Sequence, residues 1–218
     1  SNNGIRSFCV DGQEGLWIGT DKGLNYYNPA RGVWKRLFSQ KDNPRSLAHD
    51  HVSAHIDDGR GTLWCGSRFG GLSAYDKRTG GFQRFLAAPD DPSALASNNI
   101  FAMHKANFGE SAGKIWIATQ GGGLHLLDPA RRSFERFGRN IKGAMGGFPT
   151  DSLRAVVVDT KGDVWIGSSG YGLIRFRLGS GVVAHYSHKD RDAQSLSNNT
   201  ITSIFQDSRG RLWVGSAS

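Results

Sequence analysis

Leu16-Trp17-Ile18-Gly19-Thr20 is a phrase that the 218-residue sequence repeats four more times in nearly the same form. The copies are Leu63-Trp64-Cys65-Gly66-Ser67, Ile115-Trp116-Ile117-Ala118-Thr119, Val164-Trp165-Ile166-Gly167-Ser168 and Leu212-Trp213-Val214-Gly215-Ser216. The spacings between successive tryptophans of this series are 47, 52, 49 and 48 residues. Self-similarity at such a period predicts a repeat architecture in which each copy is one supersecondary unit.

Other landmarks keep the same phase and divide each unit into four short β-rich runs, here called strands A to D. Gly-Leu opens strand C, as at Gly23-Leu24, and turn signals such as Asp207-Ser208-Arg209-Gly210 separate the runs. Four strands in a repeat of about 40–50 residues are typical of a propeller blade. The sequence therefore predicts an all-β β-propeller of four-stranded antiparallel blades, with four complete blades and an extra A–B hairpin. We expect a single partial β-propeller over residues 1–218, with units at about 5–50, 51–98, 99–151, 152–199 and 200–218.

The repeated tryptophans are predicted to be the structural core of the repeats, filling the space between blades. This set is Trp17, Trp64, Trp116, Trp165 and Trp213. The glycine two residues later leaves room for the neighbouring sheet. An Asx residue precedes each strand A, at positions 3, 50, 98, 151 and 199, and is interpreted as a turn device. Basic residues of strand D, as in Phe82-Gln83-Arg84-Phe85, are interpreted as solvated charges on an outer edge.

Composition excludes several classes of protein. The formal net charge is +8, but lysine and arginine are spread over all blades with no single basic stripe, so nucleic-acid binding is not expected. The charge is compatible with acidic ligands such as uronate-containing glycans. No apolar run of about 18 residues is present, so a membrane contact is expected only through segments outside this chain. The start, Ser1-Asn2-Asn3-Gly4, lacks the features of a signal peptide.

Catalytic and metal-binding patterns are not recognised, and we predict a protein that is not an enzyme and has no cofactor and no metal. His49, His51 and His55 are close in sequence but lack the helical spacing of a zinc site. Gly121-Gly122-Gly123 is a B–C turn and not a phosphate loop. Cys9 and Cys65 occupy apolar strand positions, so we expect buried free thiols.

The repeat phrase, together with the Asn43-Pro44-Arg45-Ser46-Leu47 and Asp91-Pro92-Ser93-Ala94-Leu95 loops, resembles the two-component regulator propeller repeat. The resemblance covers essentially the whole chain. It implies a periplasmic sensor domain of a bacterial hybrid histidine kinase or diguanylate cyclase, with the output domain outside this chain. Family sensors usually have seven blades, so we interpret the chain as a fragment whose open ends favour self-association or closure into a small ring.

In a propeller the D–A and B–C loops gather on one face, where we predict a ligand site. Its residues are Lys22, Arg68, Phe69, Gln120 and Tyr171. Stacking and hydrogen-bonding groups of this kind suit a small molecule or oligosaccharide. Two alternatives stay open: a non-catalytic scaffold for docking or dimerisation and, less favoured, a propeller lyase.

Overall fold

The computed structural model describes residues 4–12, 15–139 and 147–217, and these residues form antiparallel β-sheets. The first sheet contains β1 (Ile5–Asp11), β2 (Gly15–Thr20), β3 (Gly23–Asn28) and β4 (Val33–Leu37). The second contains β5 (Val52–Asp57), β6 (Thr62–Ser67), β7 (Leu72–Asp76) and β8 (Phe82–Phe85). The third contains β9 (Ile100–Lys105), β10 (Ile115–Thr119), β11 (Leu124–Asp128) and β12 (Ser133–Phe137). The fourth contains β13 (Leu153–Val158), β14 (Val164–Ser168), β15 (Leu173–Arg177) and β16 (Gly181–Tyr186), and β17 (Ile201–Gln206) pairs with β18 (Leu212–Ser216).

Each four-stranded sheet follows chain order, so that strand A pairs with B, B with C and C with D. Every sheet lies inside one of the repeat units expected from the sequence. The fold prediction is confirmed: the protein is an all-β partial β-propeller with four complete blades and an A–B hairpin. Among the residues with described positions, no helix is long and apolar enough to cross a membrane.

The chain divides into two compact units. One comprises Ser1–Ala87 with Ser97–Phe101, and the other comprises Ala88–Ala96 with Ala102–Ser218. The expectation of a single domain over residues 1–218 stays a prediction.

In the first unit the core lies between the first and second sheets, around the buried indole of Trp17. Its ring centroid is 4.6 Å from that of Tyr26 on β3 and 5.4 Å from that of Tyr75 on β7. Close approach of the sheets requires Gly19, because a Cβ atom there would lie 2.9 Å from the Val52 carbonyl oxygen. Burial of such rings is the main stabilising contribution of the repeat.

The second unit repeats this arrangement between the third and fourth sheets. Trp116 is fully buried, with ring centroids 5.4 Å from Phe137 and 5.8 Å from Phe176. Farther along, a Cβ on Gly167 would lie 2.7 Å from the side chain of Ile201 in the hairpin. The glycine two positions after the tryptophan therefore lets the next sheet approach closely, as the sequence predicts.

The core prediction for the tryptophans needs one correction. Trp17, Trp64 and Trp116 are buried, and Trp165 is half-buried and stacked on Tyr186. Trp213, in contrast, is 57% exposed, because the two-stranded sheet offers its indole no C or D strand to pack against. Trp213 is therefore not a core residue of this structure.

An aspartate six residues before the tryptophan closes the A–B turn and caps the indole. The Asp159 carboxylate accepts hydrogen bonds from the backbone N–H of Lys161 at 2.9 Å and from the indole Nε1–H of Trp165 at 2.9 Å. The equivalent indole bonds join Trp64 to Asp58 (3.4 Å) and Trp213 to Asp207 (3.1 Å), whereas Trp116 donates to Ser111 (3.0 Å). The third repeat lacks the aspartate, and Ser111 of its longer A–B connection accepts the indole hydrogen bond instead.

The Asx residues before strand A tie the D–A loop to the B–C turn. Asp50 Oδ1 accepts the Ser39 backbone N–H at 2.6 Å, and the Asp50 carbonyl accepts the Gly23 N–H at 2.7 Å. The same pair of bonds occurs at Asn98, Asp151 and Asn199. The turn role is confirmed at these four positions, while Asn3 lies outside the described residues.

The interpretation of strand D arginines as solvated edge charges is wrong for Arg84 and Arg136. Arg84 donates to the carbonyls of Ser46 (3.0 Å), Asn43 (2.9 Å) and Leu47 (3.2 Å) in the preceding loop. Arg136 binds the carbonyls of residues 88, 89, 94 and 95 in the same manner. A guanidinium carries several donors in a fixed plane, so it can satisfy several loop carbonyls at once.

The two cysteines are free thiols: Cys65 is buried and Cys9 is partly buried. Burial raises the pKa of both thiols, so they are protonated at neutral pH.

Candidate functional site

The B–C turns and D–A loops lie at the same end of each sheet, which we call the loop end. The Asx hydrogen bonds hold these two kinds of loop against each other. The A–B and C–D turns lie at the other end, here called the turn end. All five residues predicted to bind ligand are in B–C turns and therefore at the loop end.

In the first unit an ion-pair cluster forms around Asp21, in the turn after β2. Arg6 of β1 binds its carboxylate through Nε at 2.7 Å and Nη2 at 3.0 Å. His51, just before β5, approaches the same carboxylate with Nε2 at 3.1 Å. Lys22 follows Asp21, is exposed, and donates its backbone N–H to Thr20 Oγ1 at 3.1 Å.

Phe69, in the turn after β6, is held beside these groups although it is 62% exposed. Its ring meets the ring of His49 edge-on at 5.4 Å and that of His51 at 6.2 Å. The guanidinium of the preceding residue, Arg68, lies 3.8 Å from the ring centroid of Phe101 on β9. The result is an exposed aromatic ring in contact with two imidazoles, next in sequence to an arginine that stacks on Phe101.

The charges at this end follow from local contacts. Hydrogen bonds from Arg6 lower the pKa of Asp21, so its carboxylate is ionised. Burial lowers the pKa of His51, although the Asp21 charge opposes this effect. His51 is therefore neutral at neutral pH, and its Nε2–H donates to Asp21.

In the second unit, Gln120 and Tyr171 occupy the corresponding B–C turns. Gln120 is exposed, and Tyr171 is 45% exposed. The Tyr171 backbone is fixed from two sides: its N–H donates to Ser168 Oγ at 3.1 Å, and its carbonyl accepts a short hydrogen bond from His185 Nε2. Arg154 donates to Ser169 Oγ in the same turn at 3.3 Å.

The structure thus brings Arg68 and Phe69 together with the turn that carries Lys22, and it places Gln120 and Tyr171 at the loop end of the other unit. Their role in ligand binding stays a prediction. Sequence reasoning missed Arg6, Asp21, His51 and Phe101 as members of the cluster, because each comes from a different strand or loop. Among the described residues, no group of three or more His, Cys, Asp or Glu side chains is arranged to hold a metal ion.

A model of the family described as "Two component regulator propeller" matches residues 1–22 and 195–218. These stretches contain the first and last copies of the tryptophan phrase. A search of curated proteins gave no match.

Solved structures share the fold. The extracellular domain of hybrid two-component system BT3049 from B. thetaiotaomicron is 24% identical, with a TM-score of 0.81 over 99% of this chain and 28% of that one. The corresponding domain of BT4673 from the same organism is 21% identical, with a TM-score of 0.77 over 99% and 26% of the two chains. PorZ, a surface component of the type-IX secretion system of Porphyromonas gingivalis, is 18% identical, with a TM-score of 0.68 over 98% and 31%. The chain therefore spans less than a third of the length of these three proteins.

Proposed function

Because the chain carries two-component regulator propeller repeats at residues 1–22 and 195–218, we propose that it is part of an extracytoplasmic, periplasmic sensor domain. In this proposal it binds a small ligand at the loop end and passes the signal to an output domain outside the chain. Its role is binding and not catalysis. The extracellular two-component domains that share the fold support this assignment.

One observation carries the ligand-binding part of the proposal: Phe69 is exposed and yet in edge-on contact with the imidazole rings of His49 and His51. An exposed aromatic face beside polar groups is the usual platform for a sugar ring, whose C–H face stacks while its hydroxyls form hydrogen bonds. Arg68 and Lys22 add positive charge at this end, and the chain has a net charge of +8. We therefore propose an acidic saccharide, such as a uronate-containing oligosaccharide, as the first ligand class.

The test is a thermal-shift screen of the chain with matched acidic and neutral oligosaccharides. A ligand at about 100 times its Kd adds about 2.7 kcal/mol to the folded state. For a chain of this size this raises Tm by roughly 5–10 °C. Phe69→Ala should cut the shift to between about one third and two thirds, because the same ligand concentration is then only about 3–20 times Kd. Phe108→Ala, which removes another exposed phenylalanine, is the matched control and should keep the full shift.

The proposal fails if an acidic oligosaccharide stabilises the wild type and Phe69→Ala equally, because binding would then lie elsewhere. It also fails if no saccharide of either class changes Tm.

The docking-scaffold alternative is supported by apolar side chains on the terminal sheets. Phe8 and Val10 of β1 are 65% and 73% exposed in the first unit, and Phe205 of β17 is 63% exposed in the second. Exposed apolar groups of this kind favour self-association. Sedimentation velocity over a range of concentrations tests this: a scaffold shows a dimer that Phe8→Ser with Val10→Ser weakens, and a concentration-independent monomer argues against it.

A further inference from the structure

A cavity of about 660 Å³ opens at the turn end of the first unit, away from the loop end. Trp17, Tyr26 and Tyr75 supply aromatic walls. The charged groups of the lining are two carboxylates and three cations: Asp11, Asp57, Lys35, Lys77 and Arg78. Asp11 and Asp57 end the A strands of the first and second sheets, and Lys77 follows the C strand of the second. The Asp11 residue and the Trp17 side chain are almost fully buried.

Trp17 differs from the other repeat tryptophans in its indole N–H. In the other four repeats a side-chain oxygen accepts this hydrogen: Asp58, Ser111, Asp159 or Asp207. Trp17 Nε1 is buried and has no hydrogen-bond partner among the described residues. A buried donor without a hydrogen-bond partner destabilises the fold, so this position favours an external acceptor.

Lys77 explains why Asp11 does not cap the indole. Its ammonium binds Asp11 Oδ1 at 3.0 Å and makes a shorter hydrogen bond to Asp57 Oδ2. Burial opposes the charge on Lys77, but the hydrogen bonds to Asp57 and Asp11 outweigh it and raise its pKa. Proline stands at the position of Lys77 in the first and third repeats, and Leu178 stands there in the fourth. Of these four repeats, the second is thus the one with a lysine at this position. This lysine binds Asp11 of the first repeat, so that Asp11 does not accept a hydrogen bond from the Trp17 indole.

The unmet hydrogen-bonding capacity defines the ligand. The indole N–H needs an acceptor, whereas each carboxylate has lone pairs beyond those that Lys77 uses. A hydroxyl group meets both needs, because its oxygen accepts from Trp17 and its hydrogen is donated to Asp11. An ammonium group cannot accept from the indole, and a carboxylate cannot donate to Asp11, so a hydroxyl is the group that forms both hydrogen bonds.

We propose that this cavity is a second binding site, for a polyhydroxylated ligand such as a sugar or polyol. One hydroxyl bridges the Trp17 indole and the Asp11 carboxylate, and the flat C–H face of the ligand packs on Tyr26 and Tyr75. The site is separate from the loop end and does not depend on the function proposed there.

The indole N–H signals of a ¹⁵N-labelled chain test the proposal directly. Glucose and sorbitol are the hydroxyl-bearing probes, and acetate is the control that lacks a hydroxyl group. We expect glucose or sorbitol to shift the Trp17 signal in a saturable way, and acetate to leave it unchanged. Trp17→Phe assigns the signal. Trp165, whose indole Asp159 already caps, is the internal control and should not move.

Lys77→Leu introduces the residue type of the fourth repeat and frees Asp11 to cap Trp17. Loss of the bridging hydroxyl contact should weaken glucose binding by roughly 10-fold. Lys161→Leu, at an exposed A–B turn, is the matched control and should leave binding unchanged. If Lys77→Leu does not fold, the wild-type titration still decides.

Two results would overturn the proposal: neither glucose nor sorbitol shifts Trp17, which means that only water occupies the cavity, or Trp17 and Trp165 shift alike. The backbone amide signals of His51 and Phe69 report on the loop-end site in the same spectra. If they do not shift, the loop-end proposal fails independently of the result at Trp17.

Discussion

The buried imidazole of His55 predicts a specific loss of stability in mild acid. His55 lies on β5 and is 4% exposed. Its Nε2 contacts the Trp17 carbonyl oxygen at 3.2 Å, and its Nδ1 contacts Ser7 Oγ at 2.8 Å. These contacts fit a neutral ring that donates from Nε2 and accepts at Nδ1. They join the first and second sheets inside the first unit.

The size of the effect follows from the pKa. Burial lowers the pKa of His55 from an ordinary value of about 6.5 to about 4. Above about pH 6.5 the folded and unfolded chains both carry a neutral ring, and its contribution to stability is complete. Between about pH 6.5 and 4 only the unfolded chain takes up the proton, so stability falls as pH falls. The difference between these two pKa values corresponds to a loss of about 3 kcal/mol in the free energy of unfolding.

Urea denaturation at about pH 7.5, 5.5 and 4 measures this loss, with His55→Gln as the comparison. Glutamine keeps a donor for the Trp17 carbonyl and does not titrate. Burial also lowers the pKa of His104 and His125, and both titrate in the two proteins alike. The difference between wild type and variant therefore isolates His55. Parallel loss of stability in both proteins over this range would refute the reasoning.

Three further substitutions test individual contacts. Asp163→Asn removes the ion pairs of a fully buried carboxylate with Arg175 and Arg177. Because the two arginines are 29% and 52% exposed, the loss should be about 1–2 kcal/mol in urea denaturation, and an unchanged midpoint would contradict this. Gly172→Ala should lower the free energy of unfolding by at least about 2 kcal/mol, because the backbone φ of Gly172 is +83° and the added Cβ would lie 2.1 Å from a carbonyl oxygen of β16. A change in Tm near zero would show that the turn adapts to the alanine. Arg136→Lys should accelerate hydrogen exchange of residues 88–96, since one ammonium cannot reach the four carbonyls that the guanidinium binds, and equal exchange rates would argue against this clamp.

Much of the fold could be predicted because each element has a local signal. The tryptophan phrase marks strand B, Gly-Leu marks strand C, and an Asx residue marks the start of strand A, so a single period orders all the sheets. The fate of Trp213 could not be predicted from the phrase alone, because its burial depends on neighbouring strands. The hydrogen bonds of Arg84 could not be predicted either, because its partners are 37–44 residues away in the sequence.

The candidate site was less predictable for a related reason. Phe69 could be proposed from its position in a B–C turn, since turn position is a property of the repeat. Its partners His51 and Asp21 belong to different repeats, and no spacing rule links them. Lys77 is a further example: it interrupts the Asx-Pro pattern of the C–D turn, but only the structure shows that it binds Asp11.

The central claim is that the loop end around Phe69 recognises a ligand. Isothermal titration of the wild-type chain and of Phe69→Ala with an acidic oligosaccharide that raises Tm tests it most directly. We expect saturable one-site binding to the wild type and about 5–30-fold weaker binding to the variant, since an aromatic stacking contact with its buried area contributes about 1–2 kcal/mol. Equal affinity in the two proteins would contradict it.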